Sequence, residues 1–433
     1  MATSTTNAPP VRKREILGWA MYDFANSSYT TVVISLLYSS FFTAYIVPEG
    51  GLRNTYWSIA IVGSTLLAIV LSPLVGAICD YGGHKKRYLA VSTVACALAT
   101  AALFFVQPGD VWFAIFLLII SNCAFMIGEA FCASFLPELA TKKNMGVISG
   151  LGWGLGYFGG LTSLVLVKFA VTAKPESDLA LYVAQNQLSM VLIGAFFAVA
   201  ALPTFLLVRE RSHARPGYED ASAGRLFRAG VDELRESWDL VRQYPVLFRF
   251  FLAFTVYMAG LEVVIKFIGI YATSELHLTP GDLISLFLIL QISAAAGALG
   301  FGYLETKLGA KSTVLLTIVW WILGILAIFF LEPLAAFAGT TQIVMFQIIA
   351  IIAGSGMGSI QSSSRAVVGL LSPADRSAQM FGFWGMFMRI SIILGMLFGP
   401  VSDLIGSPRY ALLLVLAYFA VGGLLLLRVP IER

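Results

Sequence analysis

The chain has 433 residues, of which 58% are hydrophobic and 12% charged, with a net charge of +4. That balance is too apolar for a soluble globular protein, and a small charge gathered in a few connecting stretches reads as a topology signal, not a nucleic-acid-binding surface. Cys79, Cys96, Cys123 and Cys132 lie in or beside apolar segments and read as buried small hydrophobes, while His84, His213 and His277 lie in loops, so no catalytic triad, metal site or cofactor is expected and the chain does not read as an enzyme.

Residues 1–10 are rich in Thr, Ala and Pro and are expected to be disordered, within a cytoplasmic tail over 1–15. Arg12, Lys13 and Arg14 then precede an apolar run over 16–46 that is too long for a signal peptide and carries Asp23 and Asn26, which predicts an uncleaved first span. A bilayer-crossing helix needs roughly 20 apolar residues. Twelve such segments follow one another at 16–46, 56–79, 88–106, 111–136, 146–171, 188–208, 246–273, 280–304, 312–331, 341–371, 379–403 and 409–428, so both chain ends lie on one side.

Lys and Arg crowd into the N-terminus, the loops after spans 2, 4, 6, 8 and 10 and the C-terminus, whereas the opposite loops hold Arg53, Lys168, Lys174 and Arg409. The positive-inside rule then places both termini in the cytoplasm. The expectation is a multi-pass integral membrane protein, of the inner membrane if the source is bacterial, acting as a monomer. The polar stretch 209–245 divides the spans into an N-terminal bundle, 16–208, and a C-terminal bundle with a short tail, 246–433. Within that linker Phe227, Val231, Leu234, Trp238 and Val241 recur at helical spacing, which predicts an amphipathic helix lying at the membrane surface, with a docking helix for a partner as the alternative.

The bundles read as repeats. Phe135-Leu-Pro-Glu-Leu-Ala, with Met145-Gly146 opening span 5, is echoed by Leu371-Ser-Pro-Ala-Asp-Arg, with Met380-Phe-Gly382 opening span 11. Spans 3, 6, 9 and 12 carry no charge in their cores, whereas spans 1, 4, 7, 10 and 11 do. The uncharged spans are therefore expected at the lipid-facing periphery and the charged ones around a central cavity. Gly154-Leu-Gly-Tyr-Phe-Gly159 matches a dinucleotide-binding fingerprint by spacing, but it lies inside an apolar helix, not after a strand. There the small residues at 152, 156 and 160 permit close helix contact.

The loop after span 2, Gly76-Ala-Ile-Cys-Asp80-Tyr-Gly-Gly83-His-Lys-Lys86-Arg87, places a glycine for close helix approach, an acid that can cap or pair, and a turn glycine before basic residues. It resembles the signature loop of the major facilitator superfamily, with Gly76, Asp80, Gly83, Lys86 and Arg87 as the matching positions; the second-half counterpart, Gly302 to Lys311, is degenerate. Trp19 to Ser28, Phe135-Leu-Pro-Glu-Leu139, Ile148-Ser-Gly150, Gly154 to Gly160 and Gln361-Ser-Ser-Ser-Arg365 narrow the resemblance to the vacuolar effluxer-like family. That resemblance implies an all-α membrane protein of twelve transmembrane helices in two six-helix pseudo-repeats, and transport of amino acids or similar solutes. Span 7 departs from the family pattern, with Met258-Ala259 before Gly260 where an Asn-Asp pair is expected.

Charges inside the spans carry the functional reading. Asp23, Glu129 and Arg365 lie six or seven residues from the cytoplasmic ends of their spans, roughly 10 Å deep at 1.5 Å per residue. Arg389, Asn26, Asn122 and Gln291 come nearer the midplane, where transporters of this build bind solute. Asp23 and Glu129 are expected to face Arg365 and Arg389 across the cleft as a gate that protonation or solute releases; the alternative is bonding between neighbouring helices. Glu262 and Lys266, four apart in span 7, form either an intrahelical pair or part of proton coupling. Arg389 can hold a carboxylate or phosphate, or pair internally with an acid such as Asp23, and Tyr22, Trp384, Trp153 and Tyr29 are cavity-wall candidates. The expected function is proton-coupled movement of a small zwitterionic or anionic solute by alternating access. A proton-driven exporter of amphipathic compounds is the alternative within transport, and a non-transporting receptor or scaffold the alternative outside it.

Overall fold

The computed structural model describes residues 11–50, 52–82, 84–139, 145–175, 177–211, 216–218, 221–371 and 377–431, and the regular structure of these residues is helical. Eleven helices among them are long and apolar enough to cross a membrane. Span 8 completes the expected set: it is the 29-residue helix Pro280–Leu308, with Gly281–Ala294 as its described apolar stretch. The face where span 1 begins (Lys13–Ile46) and span 12 ends (Pro408–Leu427) is the proximal face, and the other the distal face. Residues 1–10, expected to be disordered, lie outside the described residues.

Four of the helix starts at the distal face are capped by their own N-cap side chains. Orphan first-turn amides need acceptors, and spans 6, 8, 10 and 12 provide them locally through Asp178, Thr279, Thr341 and Ser407. Span 2 (Arg53–Ala77) begins after Leu52, which supplies no side-chain cap.

The repeat read from the loops is repeated in the packing. In the first half span 1 packs on spans 5 and 6, span 4 on spans 2 and 3, and span 3 on span 6. In the second half span 7 packs on spans 11 and 12, span 10 on spans 8 and 9, and span 9 on span 12, each contact displaced by six spans. The halves meet through spans 1 and 7, 2 and 11, and 5 and 8. Burial follows this order: 78%, 72% and 61% of the apolar stretches of spans 1, 7 and 4 are buried, against 33–44% for spans 3, 6, 9 and 12. Spans 10 and 11, at 44% and 33%, are as open as the outer helices.

In span 5 (Met145–Ala170) Gly152, Gly156 and Gly160 are the close-contact positions expected of them, Gly160 against Thr31, and Gly159 is a further one. Gly152 lies under Trp19 and the Asp23 carboxylate, Gly156 faces Ser27, and Gly159 packs directly on the backbone of Phe24. Span 1 in turn widens into π-helical turns at Tyr29–Leu36, which faces span 7 where Gly269 packs on the Ser35 and Leu36 carbonyls. Such turns leave the regular carbonyl ladder and admit a close partner.

The linker forms a helix, Ala223–Arg242, as expected, and this helix packs against span 2 and touches span 11, so it contacts both halves. Its buried residue near the start is Leu226, whereas Phe227 is 36% exposed. Val231 of the expected stripe is half-buried, and the side chains of Leu234, Trp238 and Val241 lie outside the described residues. Gly76 is no close-approach glycine here: among the described residues nothing lies within 4 Å of where its Cβ would stand.

Candidate functional site

Six charges lie in the interior of the helices that face between the halves: Asp23 and Glu129 in the first half, and Glu262, Lys266, Arg365 and Arg389 in the second. Glu262 and Lys266 pair with each other and are 6% and 8% exposed, so that pair is sealed from solvent. The helical spacing with the acid first accounts for it.

The other four differ. Glu129, near the proximal end of span 4 (Val111–Ala133), is surrounded by protein and nevertheless exposed, which marks a cavity wall and not an outer surface. It lies within Coulombic range of Arg389, Arg365 and Glu262, and Asp23 lies within range of Glu129. Asp23, Arg365 and Arg389 are each half-buried. Among the described residues none of these four forms an ion pair within 4.0 Å. Glu129 is thus the acid held within electrostatic range of both guanidinium groups, and Asp23 is held near Glu129, without an ion pair among the described residues.

Each guanidinium is positioned by a neighbour. Arg365 lies 5.3 Å from the centre of the Trp384 ring, a cation–π distance that leaves its hydrogen-bonding edge available. Arg389 donates to Ser72 Oγ of span 2, and Ser72 Oγ donates to Ala68 O at 2.7 Å. Arg389 of the second half is thereby tied to the first. Gln291, half-buried in span 8, lies against Gly160 and so marks the meeting of spans 5 and 8.

Other predicted residues turn away from the cleft. Tyr22 is 1% exposed and its hydroxyl shares a hydrogen bond with Thr93 Oγ1 at 3.0 Å. Asn122 donates to Ser64 Oγ at 2.7 Å and is 7% exposed. Tyr29 is fully buried on Ser121 at 2.9 Å, whereas Trp153 is exposed. Asn26 is buried one turn from Asp23 and makes no side-chain hydrogen bond among the described residues. In the signature loop Lys86 donates to Val208 O at 2.7 Å, tying the loop to the end of span 6, and Arg87 is exposed. The Asp80 side chain and Gly83 lie outside the described residues.

Several structural residues were not singled out from sequence. Glu138 accepts from Lys85 at 2.9 Å and from the Arg211 backbone amide at 3.1 Å, and Arg211 pairs with buried Glu15 at 2.9 Å. These charges lie in separate loops, and no spacing rule joins them. Ser72 is uncharged and Asp403 sits at a helix end, so neither stands out in an apolar sequence.

Comparison with known proteins agrees with this architecture. The family model described as "Vacuole effluxer Atg22 like" matches residues 54–147 and 142–433. An uncharacterized MFS-type transporter of Bacillus subtilis, YxiO, is 26% identical over 96% of this chain and 94% of its own. Autophagy-related protein 22 of Kluyveromyces lactis is 23% identical over 97% and 94%. Among solved structures, a bacterial homologue of the human lysosomal transporter Spinster, in an inward-facing and unoccupied conformation, superposes with a TM-score of 0.68 at 15% identity, covering 97% of each chain.

Proposed function

Because the chain belongs to the vacuole effluxer Atg22-like family and is a membrane transporter of the major facilitator type, we propose that it moves a small zwitterionic or anionic organic solute of the amino-acid kind by alternating access, coupled to protons. The observation that carries this reading is the set of unpaired charges at the cleft: Asp23 and Glu129 from one half, Arg365 and Arg389 from the other. A planar guanidinium matches a carboxylate bidentately, and a carboxylate on the opposite wall matches an ammonium group. A zwitterion bound between them neutralises both walls and draws the halves together, which is the differential affinity that a conformational change requires.

Protons enter through the same acids. Asp23 and Glu129 are near each other and near the cleft, so adding a proton to either changes the charge that the arginines meet. Trp384 flanks Arg365 in this region. Tyr22 and Asn122 support it from behind through Thr93 and Ser64. The excess of Lys and Arg at the proximal face supports a cytoplasmic position for both termini.

The experiment is uptake of labelled amino acids into proteoliposomes under an imposed proton gradient, with Asp23→Asn and Glu129→Gln alongside the unsubstituted protein. Gradient-driven uptake that these substitutions remove is the expected result. Full uptake at every pH by both variants, normally folded, would discard the gating and coupling role. Binding of cationic amphiphiles alone would favour the exporter.

A further inference from the structure

The distal end of the seam between spans 2 and 11 is closed by a carboxylate. Asp403, near the end of the helix Phe398–Ile405 that finishes span 11, reaches the first turn of span 2 in the other half. Its Oδ2 accepts from the Thr55 backbone amide and from Thr55 Oγ1, both at 2.7 Å. Its Oδ1 accepts from Asn54 Nδ2 at 3.0 Å and from the Asn54 amide at 3.3 Å. Span 2 lacks a side-chain cap from Leu52, and Asp403 supplies it from the opposite half. The carboxylate thereby meets two of the orphan amides and the positive end of the helix dipole.

The surrounding contact is tight and only partly satisfied. Gly399 packs on Asn54 and Ser58 with no room for a Cβ, and Asn54 Nδ2 also reaches Ser402 Oγ at 3.3 Å. Within the same contact Asn54 Oδ1 and Ser58 Oγ are buried without a hydrogen-bond partner among the described residues. Charge-assisted bonds favour the closed seam, while the unpaired groups favour opening, which would hydrate them. A contact with both terms can exist in two states.

We propose that Asp403 is the distal latch of the transport cycle: its grip on the N-terminus of span 2 keeps the distal side closed, and releasing that grip is a step in opening it. The inference rests on the alternating-access reading, because only relative movement of the halves requires this contact to part. Asp403 touches no solute and acts through the position of span 2.

Two engineered cysteines test it without solute. Ser40→Cys reports the distal seam, where Ser40 is 5% exposed and lies against Gly269. Glu129→Cys reports the cleft from the proximal side. Each is labelled by a membrane-impermeant maleimide, with labelling of the native cysteines subtracted. Adding Asp403→Ala is expected to raise the Ser40→Cys rate about tenfold, as loss of charge-assisted bonds implies, and to lower the Glu129→Cys rate; Asp403→Glu restores part of both changes. General loosening would raise both rates, and that result, or no change at Ser40→Cys, overturns the latch. Should Asp403→Ala not fold, Asn54→Ala with Thr55→Val removes two donors from the other side of the contact, and the same opposite changes, smaller in size, are required of it. Failure of the labelling result leaves solute uptake intact, whereas failure of uptake leaves both labelling rates readable.

Discussion

Arg389 of span 11 donates its guanidinium proton to Ser72 Oγ of span 2, so the half that would bind a carboxylate is already bonded to the half it must move against. A solute carboxylate entering the cleft competes with Ser72 for that donor. Ser72→Ala is therefore expected to tighten solute binding by about threefold to tenfold, the worth of one hydrogen bond. Arg389→Lys, which loses the planar fork, is expected to weaken it by about tenfold or more. Isothermal titration with the transported solute reads both, and weaker binding in Ser72→Ala would assign that serine to the solute site.

The Glu262–Lys266 pair is sealed in span 7, with the Glu262 Cβ against Gly395 of span 11. Removing one partner strands a buried charge, which costs about 3–5 kcal/mol, whereas replacing both with neutral groups of similar volume is near neutral. Glu262→Gln or Lys266→Met alone is expected to lower the thermal unfolding temperature clearly, and the double substitution to recover most of it. Retained uptake in the double variant would identify a structural pair. Lost uptake in a folded double variant would place it in the transport machinery.

These residues mark how far the sequence reading reaches. Long apolar runs and loop echoes are local or counting signals, so the spans and the repeat were legible. The Glu262–Lys266 pair was legible because helix geometry alone brings residues four apart together. What each helix turns toward its neighbours was not. Tyr22 lies in a polar cluster with Asp23 yet bonds Thr93, and Asn122 bonds Ser64, because packing against other spans sets a helix's rotation. Gly76 matched its motif, but among the described residues nothing lies within 4 Å of where its Cβ would stand. Spans 10 and 11 were assigned to the cavity by their charges, although burial alone does not distinguish them from outer helices: a cleft wall and a lipid-facing wall are both exposed.

The glycines give a paired test of the packing. A methyl group at Gly159 would meet the carbonyl, carbon and Cα of Phe24, none of which can rotate aside, whereas one at Gly76 would meet nothing within 4 Å. Gly159→Ala is expected to force spans 1 and 5 apart, at about 1–3 kcal/mol or more, and to reduce folded yield. Gly76→Ala is expected to be neutral or to stabilise by up to about 1 kcal/mol through helix propensity. Thermal unfolding in detergent compares them. A Gly76→Ala variant that folds normally but loses uptake would show that close approach at Gly76 occurs in another state of the cycle.

At the proximal face the end of span 6 is held by Arg211, whose side chain pairs with Glu15 at 2.9 Å while its amide donates to Glu138 at 3.1 Å. Glu15 is 1% exposed, so Arg211→Ala leaves a carboxylate without its counter-ion in a buried position. The expected cost is about 1–3 kcal/mol, because the Arg12 amide still donates to Glu15. Lys85→Ala is expected to cost less, because Glu138 is more exposed and keeps the bond from the Arg211 amide. Adding Glu15→Gln to Arg211→Ala removes the stranded charge and should return most of the lost stability, a non-additive result that unfolding temperatures of the single and double variants measure directly. Additive losses would mean that Glu15 reaches solvent when Arg211 is removed, and that the first turn of span 1 moves with the start of the linker.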